Sequence, residues 1–101
     1  MTYQFHPDAE REFLLAIDYY EHCEPDLGYE FALEVYSTIQ NILQYPLAWP
    51  IMDRKIRRCQ TSRFPFGVIY SYQRSRVIIL AVMHLHREPG YWKSRIPAGG
   101  N

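Results

Sequence analysis

The chain has 101 residues, of which 48% are apolar and 22% charged, and its formal net charge is zero. That length bounds it to one domain, able to bury about two-thirds of its unfolded surface without a metal or disulfide. The composition excludes a disordered chain, and no apolar run reaches the roughly 18 residues of a membrane-spanning helix.

Met1 to Phe5 alternates, with Tyr3 and Phe5 on one side, which predicts a short first strand. His6-Pro7-Asp8 then opens a helix. Pro is tolerated at the first helical position, and Asp8, Glu10 and Glu12 suit the positive end of the helix dipole. Ala9, Phe13, Ala16, Ile17 and Tyr20 fall on one helical face. Glu24-Pro25 breaks this helix, because the residue before Pro disfavours helical backbone. Pro25 is expected in the first turn of a second helix, whose stripe is Leu27, Phe31, Val35, Ile39 and Ile42. Tyr45-Pro46 ends it. So short a joint makes the pair an antiparallel helical hairpin.

Residues 46–53 hold two Pro and read as an irregular crossing segment. Residues 54–60 are heavily charged, which suits an edge strand blunted against aggregation. Residues 66–72 place Phe66, Val68, Tyr70 and Tyr72 on one face. Residues 76–83 are apolar on both faces, which marks a central strand. Gln73-Arg74-Ser75 is short enough for a hairpin loop, although it lacks the usual Gly or Asn. Arg87 to Arg95 has room for one helical turn, and residues 97–101 are expected to fray. The order strand, two helices, three strands predicts an α+β fold in one domain over residues 1–96. The helical hairpin covers one face of an antiparallel meander sheet, and the other face or its rim is left for function.

The zero net charge conceals an asymmetry. Residues 1–53 carry ten acids against one base, Arg11, whereas residues 54–101 carry ten bases against one acid, Glu88. The halves either occupy separate faces, giving a strong dipole that attracts polyanions or acidic proteins, or pack together and neutralise each other. Cys23 and Cys59 are too few for a disulfide framework and have no metal spacing. The start of the chain has no basic cluster and no apolar stretch, so no secretory signal is expected. A cytoplasmic protein without cofactor or metal is the expectation.

The densest polar cluster runs from His84 to Arg95, directly after the most apolar strand. Arg87 and Arg95 suit phosphate or carboxylate, and Tyr91 and Trp92 suit stacking or protein pockets. Trp92 suits packing on the core better than a surface role, Tyr91 suits packing beside it, and Arg87 equally suits pairing with an acid of the first half. His84 and His86 share a strand face if extended; two ligands alone are weak evidence for a metal, and a single His suits proton transfer. A second basic group is Arg54, Lys55, Arg57, Arg58 and Arg63, with Arg54 and Arg58 on one face of a strand and Lys55 and Arg57 on the other. There is no phosphate-cradling Gly-rich loop and no Ser or Cys nucleophile motif.

These pieces carry a resemblance. Phe5-His6-Pro7 with Ala9, residues Ala16 to Glu21, Pro46, Arg63-Phe64-Pro65-Phe66 with Ile69-Tyr70, and Ala81-Val82-Met83-His84 with Arg87, Pro89, Tyr91-Trp92 and Arg95 span nearly the whole chain. Together they resemble the RelE/ParE superfamily of bacterial type II toxins, specifically its ParE-like, plasmid-stabilisation branch. The resemblance implies a toxin neutralised by a cognate antitoxin. ParE-like members poison DNA gyrase and are not known as nucleases; RelE-like members cleave mRNA on the ribosome. The ribonuclease branch usually has Arg where this chain has Gly67, whereas Arg87 matches the Arg after the last strand and Tyr91 stands in place of the late Tyr. The Pro-x-Tyr-Trp ending is the ParE-like form. The resemblance therefore implies a gyrase-directed binding toxin, with Arg54, Lys55, Arg57, Arg58, Arg63, Arg87, Tyr91, Trp92 and Arg95 on the target or antitoxin surface. The alternatives are a ribosome-dependent endoribonuclease using Arg87, Tyr91, His84 and His86, and a non-toxic interaction module. Members are often basic overall; this chain is neutral.

Overall fold

In the computed structural model, which describes residues 1–97, the first helix α1 spans Pro7–Cys23. His6 caps it, its Nδ1 accepting the Asp8 N–H at 3.0 Å, and Pro7 takes the first helical position. The helix stops before Pro25 as its sequence dictates. The second helix, α2, spans Leu27–Gln44, so Pro25 lies in the joint rather than in the first turn. Asp26 precedes α2 in left-handed backbone (φ 72) and its side chain makes no cap. Glu21 of α1 does that work instead, accepting the N–H groups of Asp26 (2.9 Å) and Gly28 (3.0 Å). A carboxylate at a helix N-terminus satisfies free donors and meets the positive end of the dipole. Gly28 is buried, and a Cβ there would strike the Ile17 carbonyl oxygen and the Glu21 stem. The hairpin closes this tightly only because position 28 has no side chain.

The strands are β1 (Thr2–Phe5), β2 (Ile51–Asp53), β3 (Ile56–Gln60), β4 (Phe66–Gln73) and β5 (Arg76–His84), in the sheet order β1-β5-β4-β3-β2. The run from β2 to β5 is an antiparallel meander, and β1 joins it parallel to β5, from Thr2 opposite Arg76 to Phe5 opposite Ile79. Two expectations are corrected. The crossing segment ends in a strand, β2, which takes the sheet edge in place of β3. Arg54 and Lys55 therefore do not sit on alternating strand faces; they form the β2–β3 turn, with Arg54 at φ 54. The β4–β5 connection is the expected hairpin. Arg74 and Ser75 both take left-handed backbone (φ 53 and 61), so side-chain-bearing residues occupy positions that usually need Asn or Gly.

Two apolar layers enclose the sheet. Phe13, Phe31, Val35, Ile39 and Ile42 of the helices pack on Val68, Tyr70, Val77, Ile79 and Val82. Tyr20, Phe31, Phe64 and Phe66 form an aromatic group at one end, with ring centroids as close as 4.9 Å. On the opposite face, Ile56, Ile69, Leu80, Ala81 and Met83 lie under Trp92, with Tyr91 and Ile96 beside it. This explains why β5 is apolar on both faces. It also means that the segment after β5, which includes a 3-10 turn at Lys93–Arg95, covers much of the face expected to be open. The tail expected to fray lies, from residue 98 onward, outside the described residues.

The molecule is elongated, 42 × 26 × 21 Å. Arg63 joins the β3–β4 loop to Glu30 and Glu34 of α2, so that loop and the α1–α2 joint share one end. The β2–β3 turn, the β4–β5 turn and the start of β1 share the other end, since Ile56 pairs with Ser71, Gln73 with Arg76 and Arg76 with Thr2.

Candidate functional site: a groove beside the free edge of β5

Pairing between β1 and β5 stops at Ile79, where the His6 N–H reaches the Ile79 carbonyl at 2.8 Å. Beyond it β5 has no strand neighbour on that side among the described residues, and side chains serve its backbone. The Glu12 carboxylate of α1 accepts the Val82 N–H at 3.1 Å, and the Arg95 guanidinium donates to the Leu80 carbonyl at 3.0 Å. Leu80 needs such a partner, because the β4–β5 register shifts there: Ile69 faces Ala81 and Tyr70 faces Ile79, leaving Leu80 without an opposite residue.

Glu12 and Arg95 also bond to each other at 3.0 Å, with side chains only 17% and 12% exposed. Arg87 approaches Glu12 at 4.0 Å, and Arg95 approaches Asp8 at 3.9 Å. Burial pulls the Arg95 pKa down, but the Glu12 hydrogen bond and charge more than offset it, so the net shift is upward. Tyr91 lies between the two guanidinium groups, with Arg87 3.9 Å and Arg95 5.0 Å from its ring centroid. Its hydroxyl is buried beside Glu12 without a well-formed hydrogen bond. Burial, reinforced by Glu12, holds that hydroxyl well above the usual tyrosine range.

Above this network lies a groove of about 460 Å³, walled by Leu15, Tyr19 and Tyr20 of α1 on one side and by Phe66, Val82 and His84 on the other, with Arg87 and Tyr91 at its rim. Leu15 and Tyr19 are 64% and 65% exposed and, four residues apart on one helix, lie side by side along the groove. The groove therefore offers apolar walls, an exposed cation and a strand edge.

The remaining expected site residues are scattered. His84 accepts the His86 N–H on its Nδ1 at 3.1 Å, and the two rings lie 5.3 Å apart. No three His, Cys, Asp or Glu side chains among the described residues are placed to hold a metal ion. Trp92 is 1% exposed and belongs to the core, so its place on a binding surface is withdrawn. Arg57 ties the crossing segment to the sheet, donating to the Leu47 (3.1 Å) and Trp49 (2.7 Å) carbonyls. The Arg58 stem lies over Gly67, where a Cβ would meet Arg58 Cδ at 3.0 Å. Arg63 is at the far end, bonded to Glu30 at 2.7 Å. Arg54 and Lys55 are exposed at the opposite end. Arg87, Tyr91, Arg95 and His84 are thus brought together, and the basic group of residues 54–63 is not.

Glu12, Leu15 and Tyr19 are given no site role by the sequence. Leu15 and Tyr19 lie outside the apolar face of α1, and that was the available signal. Both outcomes of the charge asymmetry are present in part. Glu12 with Arg95, Glu30 with Arg63 and Asp53 with Lys93 neutralise each other, while other acids and bases separate to opposite ends.

Comparison with known proteins finds a matching family and matching solved structures. Residues 3–89 match the family described as ParE toxin of type II toxin-antitoxin system, parDE. The fold is similar to a chain of the chromosomal ParDE TA system from P. aeruginosa, with a TM-score of 0.73 and 15% identity, covering 83% of this chain and 95% of that one. A search of curated proteins returned no match.

Proposed function

Because this chain belongs to the ParE toxin family of type II toxin-antitoxin systems, we propose that it is a toxin acting by binding rather than by cleavage, directed at DNA gyrase in the cytoplasm and held inactive by a cognate antitoxin. The observation that carries binding over cleavage is the state of Tyr91 and Arg95. Phosphodiester cleavage calls for a cation free to meet developing charge and a group that exchanges protons near neutral pH. Burial drives the Tyr91 hydroxyl away from neutrality, and Arg95 is committed to Glu12 and the Leu80 carbonyl, which leaves Arg87 as the exposed arginine beside Tyr91. The position where the ribonuclease branch carries Arg is Gly67, covered by the Arg58 stem.

The groove supports the partner half of the proposal. An antitoxin segment that orders on docking would set apolar side chains against Leu15 and Tyr19 and a carboxylate against Arg87, which is 54% exposed. Leu15→Asp with Tyr19→Asp should weaken antitoxin binding at least 100-fold while leaving the fold intact.

The function is tested by inducing the protein alone in bacteria and following DNA and protein synthesis by pulse labelling. DNA synthesis falling first, with loss of supercoiling by purified gyrase, is the expected result. Protein synthesis falling first would overturn it in favour of the ribosome-dependent ribonuclease, a reading that Arg87 and His84 favour by lining the same groove. In that case Arg87→Ala would cost orders of magnitude in mRNA cleavage. No effect on either synthesis would leave the non-toxic interaction module.

A further inference from the structure

The end of the sheet farthest from the α1–α2 joint is built from two hairpin tips, and cations dominate both. Arg54 and Lys55 form the β2–β3 turn; Arg74 forms the β4–β5 turn, and Arg76 follows it. The register places the tips level, since Ile56 faces Ser71 and Gln73 faces Arg76. Two strand spacings, about 10 Å, separate the hairpin axes. All four cations are exposed. Among the described residues none of the four has an acidic partner: Arg76 bonds only to the neutral Gln4, at 2.9 Å. The acid at this end, Asp53, is taken by Lys93 at 3.3 Å.

Two further observations set this end apart from an ordinary charged surface. Arg54 and Arg74 both stand in left-handed backbone, a conformation that residues with a side chain disfavour. The chain thus holds arginine at both turns where Asn or Gly is the easier choice. Beside the tips, on the sheet face away from the helices, is a hollow of about 660 Å³ with Gln4, Ser71, Gln73, Arg74 and Arg76 in its lining. Its hydrogen-bonding groups suit sugar and phosphate oxygens.

We propose that this basic end docks on the sugar–phosphate backbone of duplex DNA, independently of the groove beside β5. The charge arrangement supports a polyanion over a second copy of the chain. Asp18, Glu24 and Asp26 stand exposed at the opposite end, so the field of a polyanion orients the molecule with its basic tips inward. Pairing those acids with the basic tips of another copy rests on exposed ion pairs of little worth.

The test is binding of the purified full chain to a 20-base-pair DNA duplex, followed by fluorescence anisotropy across a salt series. Four phosphate contacts give a slope of about −3.6 in log affinity against log salt, so tripling the salt weakens binding about fifty-fold. Arg54→Gln and Arg74→Gln should each reduce that slope by about 0.9, and the fourfold variant with Lys55→Gln and Arg76→Gln should abolish binding with unchanged circular dichroism. Arg11→Gln, on α1 and paired with Asp8, should leave the slope unchanged. An absence of binding at 20 mM salt, or a slope unaltered in the fourfold variant, overturns the proposal. So does equal affinity for polyglutamate, tighter binding to an RNA duplex, or salt-sensitive self-association that competes with DNA.

Discussion

Replacing Glu12 with Ala should destabilise the protein by about 3 kcal/mol, far more than an ordinary charged side chain on a helix. Three consequences follow from the one deletion. The Val82 N–H loses a charge-assisted bond at the free edge of β5, Arg95 is left as a nearly buried cation, and the link between α1 and the C-terminal segment is cut. A hydrogen bond to a charged group contributes about 1.5–3 kcal/mol, and breaking a buried pair from one side costs about 3–5 kcal/mol. The lower end of that range applies, because Arg95 keeps the Leu80 carbonyl and stays 3.9 Å from Asp8. Against a total of about 5–15 kcal/mol for a domain of this size, the variant remains folded but shows a clearly lower urea midpoint. Glu12→Gln should cost about half as much, since an amide oxygen still accepts from Val82 but offers Arg95 no charge. The decisive measurement is a double-mutant cycle with Arg95→Ala in urea. The two changes together should cost at least about 1.5 kcal/mol less than their sum, because each removes what the other leaves unpaired. Additive effects, or a loss under about 1 kcal/mol for Glu12→Ala, would refute the network.

Ser75→Gly should stabilise the protein by about 1 kcal/mol, raising the urea midpoint, because glycine adopts the left-handed turn conformation without a side-chain penalty. Gly28→Ala should lower stability by about 1–3 kcal/mol despite alanine's better helix propensity, because its Cβ meets the Ile17 carbonyl; an unchanged melting temperature would show that the helices move apart freely. Burial pushes Cys59 up to about 11 and Tyr70 up to about 12. Both groups hold their protons more tightly when folded, so their stabilisation is complete below the unfolded values and is lost as pH rises through the folded ones. Urea midpoints should therefore fall between pH 8 and pH 10.5, and Cys59→Ala should remove about 2 kcal/mol of that fall.

The helices and the central strand were legible because each is specified by local spacing: the stripe from Leu27 to Ile42, the two-sided apolar run of β5, and the Pro residues at both helix boundaries. What escaped was set by distant partners or by very short elements. β2 has only three residues, two of them exposed, and therefore no alternation to read. Glu12 looks like one more acid in a helical first half until Arg95 arrives from 83 positions away. The same remoteness hid the use of Arg57 as a tie between segments, whereas the packing of Trp92 on the core was among the readings its position offered. Glu21 acting as the cap of the next helix is equally silent in sequence, because Asp26 is the residue that the usual pattern would nominate.

The parallel seat of β1 on β5 has a consequence for synthesis. Thr2 is made 74 positions before its partner Arg76. At roughly 5–20 residues per second, that interval is about 4–15 s. Throughout it the helical hairpin exists without the strand it must cover, and Glu12 without Val82 or Arg95. A chain released early therefore carries both helices and most of the acidic charge but none of the C-terminal arginines. Synthesis of residues 76–95 is what closes the sheet and builds the groove, so a translational stall before residue 76 yields a product with neither.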